Sequence, residues 1–84
     1  MNPISAQVSL YPLRQAHLSP SISVMLEALR SRGLAVKPGT MSTLVTGETE
    51  LLFDGLKAAF QSAAATADVV MIVSFSNCCP IATE

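Results

Sequence analysis

Hydroxyl side chains in two alternating segments are the residues of this sequence that come nearest to a binding site. Ser9 and Tyr11 lie in the first segment, and Ser74 and Ser76 lie near the C terminus. Serines at strand positions most often bond to water or to nearby backbone groups. These four residues alone therefore give only a weak indication of a ligand site.

Glu48 is a fifth candidate, with two interpretations of equal weight. It follows Gly47 and precedes a predicted helix, where the helix dipole favours a negative charge. In the other interpretation it is a hydrogen-bond acceptor that faces a pocket.

The groups that catalysis or metal binding requires do not form a pattern. His17, the one histidine, has no carboxylate near it in the sequence, so we expect a solvated loop residue. No base is placed beside a Ser or Cys nucleophile, and the four glycines are too dispersed for a phosphate loop. Cys78 and Cys79 are adjacent, whereas zinc ligands are usually separated by two or more residues. We therefore predict no catalytic residue, no metal and no cofactor, and we interpret the cysteines as small packed thiols.

The composition predicts a folded protein that covers apolar surface by self-association. Of the 84 residues, 50% are hydrophobic and 13% are charged, and the mean hydropathy is +0.48. This length fits one domain, residues 1–84, and such a small monomer buries only about 60% of its unfolded surface. We therefore expect a homo-oligomer, either a dimer or a tetramer. The net charge of −1 argues against nucleic acid as a partner.

The sequence contains no pattern typical of a targeting signal or a membrane span. No basic start precedes an apolar stretch near the N terminus. The longest strongly apolar run, Val69–Val73, is far shorter than the roughly 20 residues that cross a bilayer. We expect a cytoplasmic protein without membrane contact, and the reduced cytosol suits free thiols.

The first half of the chain is predicted to form a strand, a helix and a hairpin. The alternation from Ser5 to Leu13 is typical of a half-buried strand. A helix begins at Ser19-Pro20, with the hydroxyl as its cap, and ends at Gly33 in a left-handed conformation. The hairpin has runs at Leu34–Lys37 and Thr43–Thr46, and the first run is placed at a sheet edge because Pro38 cannot donate to a ladder.

A second helix and a last strand complete the pattern. We expect Thr49 to cap this helix and the helix to end near Thr66. The β-branched run from Val69 to Asn77 alternates like a strand. The buried stripe of the helix is expected to contain Leu52, Leu56, Ala59, Phe60 and Ala63.

The resulting order, β-α-β-β-α-β, is that of the ferredoxin-like α+β fold, a four-stranded antiparallel sheet with two helices on one face. A face without helices is more often uniformly polar in a monomer, whereas this one mixes hydroxyls with Val70 and Ile72. We therefore expect its apolar part to pack against a second subunit. The face under the helices is expected to bury Val8, Leu10, Val45, Met71 and Val73. The open face is expected to carry Ser9, Tyr11, Ser74 and Ser76 beside Val70 and Ile72.

Three segments of the chain resemble a known family. They are Val8–Leu13, Gly39–Glu48 and Ser74–Pro80, with the sequences VSLYPL, GTMSTLVTGE and SFSNCCP. Together they are similar to the YkoF-type thiamine and hydroxymethylpyrimidine-binding proteins, over nearly the whole chain. The resemblance implies a ferredoxin-like domain that binds the pyrimidine of thiamine or its precursor without transforming it. It also implies assembly by sheet contact, and a single-domain chain would need identical subunits where two-domain relatives dimerise.

The ligand that this resemblance implies fits the candidate side chains. An aminopyrimidine has two ring nitrogens that accept hydrogen bonds and an amino group that donates, so its pocket needs both kinds of partner. Tyr11 would stack on the ring or attract the thiazolium cation of thiamine, and Glu48 would accept from the amino group. The implied ligand set is Ser9, Tyr11, Thr43, Glu48, Ser74, Ser76 and Asn77.

Three other functional classes stay open at this point. A regulatory small-molecule module of the amino-acid-sensing type has the same element order, but it generally serves a larger enzyme. A cofactor-independent oxygenase of the ferredoxin-like dimeric type would bring more His, Trp or Asn into its cavity. A ferredoxin-like RNA-binding domain is the least favoured, because it needs strand aromatics and basic flanks, and this chain has three Phe, one Tyr and no Trp.

Overall fold

The structure is a computed structural model that describes residues 3–13, 19–39 and 42–77. Within these ranges the elements follow the predicted order β-α-β-β-α-β. They are β1 (Pro3–Pro12), α1 (Ser19–Arg30), β2 (Ala35–Pro38), β3 (Thr43–Glu48), α2 (Thr49–Ala64) and β4 (Val69–Ser76).

The four strands form one antiparallel sheet in the order β2-β3-β1-β4. β1 is central, with β3 on one side and β4 on the other. β2 is an edge strand, as Pro38 predicted, because proline has no N–H to donate to a further strand. The predicted ferredoxin-like α+β fold is confirmed.

Both helices pack on the same face of the sheet. The even-numbered β1 residues point into the core, and alternate side chains of a strand lie on opposite faces, so the odd-numbered residues lie on the open face. Burial of these apolar side chains is the main force that holds the helices to the sheet. The core residues, each at most 8% exposed, are Ala6, Val8, Leu10, Met25, Leu29, Leu34, Val45, Leu52, Leu56, Ala59 and Ala63.

Leu34, at the entry to β2, fills space that two glycines leave. It follows Gly33, whose φ of 79° confirms the predicted left-handed turn after α1. A Cβ on Gly55 would lie 2.6 Å from Leu34 Cδ1, and a Cβ on Gly47 would also overlap the Leu34 side chain. These two glycines therefore serve close packing of α2 and β3 around Leu34.

The predicted cap of α2 is wrong by one residue. Glu48 is the N-cap, with extended φ of −66° and ψ of 143°, and the Leu51 N–H donates to its Oε1 at 3.4 Å. Thr49 is already the first residue of the helix. Because β3 ends at Glu48 and α2 begins at Thr49, no loop residue is left, and the last strand residue caps the helix.

The predicted buried stripe of α2 is correct except at Phe60, which is 41% exposed. Gly55 is buried in its place. Successive helix residues are separated by about 100°, so Phe60 lies on the flank of the stripe that Leu52, Leu56 and Ala59 define.

β4 is the least covered of the three strands whose side chains the helices were expected to bury. Met71 and Val73 are only partly buried against the core, although Val8, Leu10 and Val45 are fully buried as predicted. Phe75, on the same side, is 46% exposed and stacks on Phe53 of α2 with ring centroids 4.6 Å apart. An edge strand has core on one flank only, which explains this partial burial.

Candidate functional site

The open face of the sheet holds most of the predicted site residues. The strand register fixes which side chains are neighbours there. From one end to the other, Ser5, Gln7, Ser9 and Tyr11 of β1 lie beside Ser76, Ser74, Ile72 and Val70 of β4.

Polar side chains are grouped at one end of this face. In one row across the sheet, Ser5 lies between Thr46 of β3 and Ser76 of β4. In the next row, Gln7 lies between Leu44 of β3 and Ser74 of β4, and Lys37 of β2 lies beyond Leu44. Adjacent strands are about 4.8 Å apart, so one small ligand can contact several of the polar groups. We call Ser5, Gln7, Thr46, Ser74 and Ser76 the polar end.

Apolar side chains are grouped at the opposite end. Tyr11 lies beside Val70, and Ile72 lies beside Ser9. Tyr11 is 48%, Val70 43% and Ile72 55% exposed. The sequence indicated a mixed face, but the register separates it into a polar end and this apolar end, Tyr11, Val70 and Ile72.

Because the polar end and the apolar end are far apart, the predicted ligand residues of one chain cannot all contact the same small ligand. Tyr11 is four residues from Gln7, the neighbour of Ser74, which is about 13 Å along an extended strand. It is six residues from Ser5, the neighbour of Ser76, or about 20 Å. Within one chain, therefore, Tyr11 does not stack on a ring that Ser76 binds.

Glu48 lies near the polar end, paired with Pro3 and two residues beyond Thr46. The hydrogen bond from the Leu51 N–H makes it the charge at the helix start that one interpretation expected. That bond uses Oε1, and a carboxylate can accept further hydrogen bonds through its second oxygen. Asn77 directly follows Ser76 and is exposed.

Thr43 lies on the other face of the sheet, away from the remaining candidates. It is 6% exposed and borders a cavity of about 100 Å³ that also involves α1. No hydrogen bond from its hydroxyl is found among the described residues. The cavity is smaller than the 150 Å³ that accepts benzene in an engineered protein. Its lining is mainly apolar, with Val8, Leu10, Ile22 and Met25 opposite the hydroxyl residues Ser42 and Thr43.

Sequence reasoning missed three members of the polar end. Ser5 and Gln7 share the strand face of Ser9, so the alternation alone could have identified them. Thr46 could be identified as a member only from the pairing of β3 with β1, because that pairing places it opposite Ser5. Ser5 is the most enclosed of the five, at 5% exposed.

His17, Cys78 and Cys79 lie outside the described residues. Within residues 3–13, 19–39 and 42–77, no cluster of three or more His, Cys, Asp or Glu side chains is arranged to hold a metal ion. The helices in these ranges lack the length and apolarity that crossing a bilayer requires.

Solved structures of low sequence identity share this fold. A hypothetical protein from Methanocaldococcus jannascii is 24% identical, with a TM-score of 0.82 over 90% of this chain and 80% of that one. A domain of unknown function from Bacillus cereus is 17% identical, with a TM-score of 0.77 over 96% and 83%. A "putative thiamine biosynthesis/salvage protein" from Thermotoga maritima is 21% identical, with a TM-score of 0.77 over 87% and 81%. At these identities the likeness establishes the fold alone.

A family model gives a more specific result. No match is found among curated proteins. The model of the YkoF-related family matches residues 4–82, which run from the second residue of β1 past the end of β4 and include the three segments that carried the resemblance. The chain therefore belongs to the YkoF-related family.

Proposed function

We propose that this protein binds thiamine or its hydroxymethylpyrimidine moiety, without transforming it, on the open face of the sheet near a subunit interface. The observation that carries the proposal is the polar end, where four hydroxyls and one amide lie close together in two neighbouring rows. Leu44 and Lys37 extend the second row on the β2 side. The family match and the thiamine-related name of one structural neighbour support the choice of ligand.

The polar end suits an aminopyrimidine because it offers donors and acceptors in one plane. The hydroxyls of Ser5, Thr46, Ser74 and Ser76 can each donate and accept, and the Gln7 amide has separate donor and acceptor atoms. Glu48 adds an acceptor for the exocyclic amino group. A pyrimidine lying across these rows would meet a partner at each polar atom of its edge.

A ligand on this open face needs protein on its second side, and we propose that another subunit of the same protein provides it. A flat sheet face removes only one side of a bound ring from water, whereas ligand pockets bury most of the ligand surface. The exposed Val70 and Ile72 of the apolar end favour contact with another subunit. The proposed state is a homo-oligomer, either a dimer or a tetramer.

The proposal is tested by calorimetry of the purified protein with thiamine and with hydroxymethylpyrimidine. We expect heat from both ligands, and about a ten- to hundredfold loss of affinity in a Gln7→Ala, Ser74→Ala double variant, because two hydrogen bonds of about 0.5–1.5 kcal/mol each are removed. Ser23→Ala, an exposed serine on α1, is the matched control and should bind normally. Absence of heat from both ligands at millimolar concentration would contradict the proposed function.

The Thr43 cavity is the competing location for the same ligand. Thr43→Val keeps the shape of the side chain and removes its hydroxyl. We expect this variant to bind like the wild type, because the lining of this pocket is mainly apolar and offers fewer hydrogen-bonding side chains than the polar end. A large loss of affinity in Thr43→Val, with normal binding in the double variant, would move the site to the face under α1.

A further inference from the structure

The two edges of the sheet differ in their protection against pairing with another strand. β2 has four residues and includes Lys37 and Pro38. Charged side chains, proline and short length are the features that keep an edge from adding a strand. β4 has eight residues, VVMIVSFS, without a charge or a proline. The β4 edge therefore has the features of a strand that is covered by a partner.

Half of the eight exposed large hydrophobic side chains in the described ranges lie at the same edge. Of the large hydrophobic residues that are exposed in the described ranges, Val70, Ile72 and Phe75 lie on β4 itself, and Tyr11 lies beside it. A partner strand at β4 would bring its own side chains against Val70 and Ile72 on one face and Phe75 on the other, and would so bury part of their exposed surface.

We propose that β4 pairs antiparallel with β4 of a second copy, and that this pairing completes the ligand site by placing the second copy's Tyr11 in the same row as Ser74 or Ser76, two strands away. The inference rests on the proposed function and adds the missing partner of that site. A second copy fits because it presents the same uncharged edge, so that a two-fold axis makes the contact self-complementary. A two-fold axis normal to the sheet keeps both open faces on one side.

The alternation of side chains limits the possible registers. In an antiparallel pair, directly opposite residues lie on the same face, so even-numbered β4 residues must lie opposite even-numbered ones. The symmetric pairing must then be centred on a residue, and with eight residues in β4 at most seven can pair. The two registers that reach this maximum are centred on Ile72 and on Val73.

Both registers place a serine of one copy opposite Val70 of the second copy. When the pairing is centred on Ile72, this serine is Ser74. When it is centred on Val73, the serine is Ser76. In each chain Tyr11 lies beside Val70. The second copy's Tyr11 is then two strand spacings, about 10 Å, from one of these serines in the same row. The polar end of one copy and the apolar end of the other together form one site, and symmetry gives two sites per dimer.

Cysteine cross-linking tests the pairing without any ligand. In a Cys78→Ser, Cys79→Ser background, Ile72→Cys should form a symmetric disulfide in the first register and Val73→Cys in the second, because opposite Cα atoms lie within disulfide range. Ser23→Cys is the control and should stay monomeric on a denaturing gel. Failure of both Ile72→Cys and Val73→Cys to cross-link at micromolar protein would overturn the pairing.

Complementation between two differently tagged chains tests the shared site. One chain carries Tyr11→Ala and the other carries Ser74→Ala with Ser76→Ala. Each variant alone should bind hydroxymethylpyrimidine about tenfold more weakly than the wild type. The heterodimer, isolated by both tags, should regain one site of wild-type affinity per two chains, because one of its two sites combines the unchanged Tyr11 with the unchanged serines.

The outcomes separate this inference from the proposed function. If the wild type binds but both sites of the heterodimer have the reduced affinity of the variants, the site is not shared between two copies. The proposed function would then still stand. A wild type that binds neither thiamine nor hydroxymethylpyrimidine would overturn the proposed function and the shared site, while the cross-links would still decide the β4 pairing. A wild type found to be monomeric, with a foreign peptide adding to β4, would overturn the second copy as the partner.

Discussion

At the scale of single residues, the structure gives the glycine of the Thr-Leu-Val-Thr-Gly-Glu segment a packing role. Gly47 adopts no turn conformation that requires glycine, since Gly33 is the glycine with positive φ in the described residues. Gly47 and Gly55 instead give room to Leu34, which is 6% exposed. This contact holds β3, α2 and the entry to β2 together.

A double-mutant cycle tests that contact. Gly55→Ala should lower the free energy of unfolding, because overpacking of about 1–3 kcal/mol exceeds the gain of about 1 kcal/mol in helix propensity. Leu34→Ala should cost about 2–5 kcal/mol by itself. In the Leu34→Ala background, Gly55→Ala should become stabilising because the overlap is gone. Urea denaturation measures the cycle, and additive effects within about 0.5 kcal/mol would contradict the contact.

Asn77 and Tyr11 are the residues whose substitution tests the binding chemistry most directly. Asn77→Ala should weaken binding by a few-fold to about tenfold, since a neutral hydrogen bond contributes about 0.5–1.5 kcal/mol. Tyr11→Ala should cost at least as much through loss of its aromatic surface. Isothermal calorimetry measures both, with Ser23→Ala as the control. Wild-type affinity in both variants would remove these residues from the site.

Salt provides a separate test of the Glu48 contribution. High salt should weaken thiamine binding, because the thiazolium is a cation that Glu48 attracts, and should leave hydroxymethylpyrimidine binding unchanged. Calorimetry in low and high sodium chloride makes the comparison. An equal loss for both ligands would contradict an electrostatic contribution of Glu48.

At the scale of elements, the junction between β3 and α2 links the sheet to a helix without a loop. Glu48 is the last strand residue and the helix cap at once. The cap therefore fixes the direction of α2 relative to the polar end of the sheet.

Substitutions at this junction distinguish the observed cap from the one that the sequence predicted. Glu48→Ala should lower the free energy of unfolding by about 0.5–1 kcal/mol, the lower part of the usual range for a cap, because its hydrogen bond is long at 3.4 Å. Thr49→Ala should change stability by less than about 0.5 kcal/mol, since Thr49 lies inside the helix. Thermal and urea unfolding measure both. A larger loss in Thr49→Ala than in Glu48→Ala would contradict the Glu48 cap.

At the scale of the whole molecule, the uncovered sheet face and the unprotected β4 edge both favour association. In sedimentation at micromolar concentration we expect a dimer or tetramer, and Ile72→Lys should dissociate it because an unpaired charge would be buried. Phe60→Lys is the matched control, since Phe60 is also exposed, at 41%, but lies on α2. A wild type that sediments as a single 8.8 kDa species would contradict the assembly.

The sequence by itself determined the order of the elements, the edge position of β2 and the faces of β1 and β4. These features depend on periodicity, proline and glycine, which act over a few residues along the chain. It also indicated the family, through the segments around Val8, Thr43 and Ser74 that lie within the matched residues 4–82.

Only the tertiary structure decided which of the candidate side chains are neighbours. The pairing of β1 with β3 and β4 brought Ser5 and Thr46 to Ser76, put Thr43 on the other face, and separated Tyr11 from the serines. Strand register is set by contacts between segments far apart in the sequence, and a shift of one residue would exchange the two faces. The local pattern therefore fixed the faces of β1 and β4, whereas the face of Thr43 and the members of the site depended on long-range pairing.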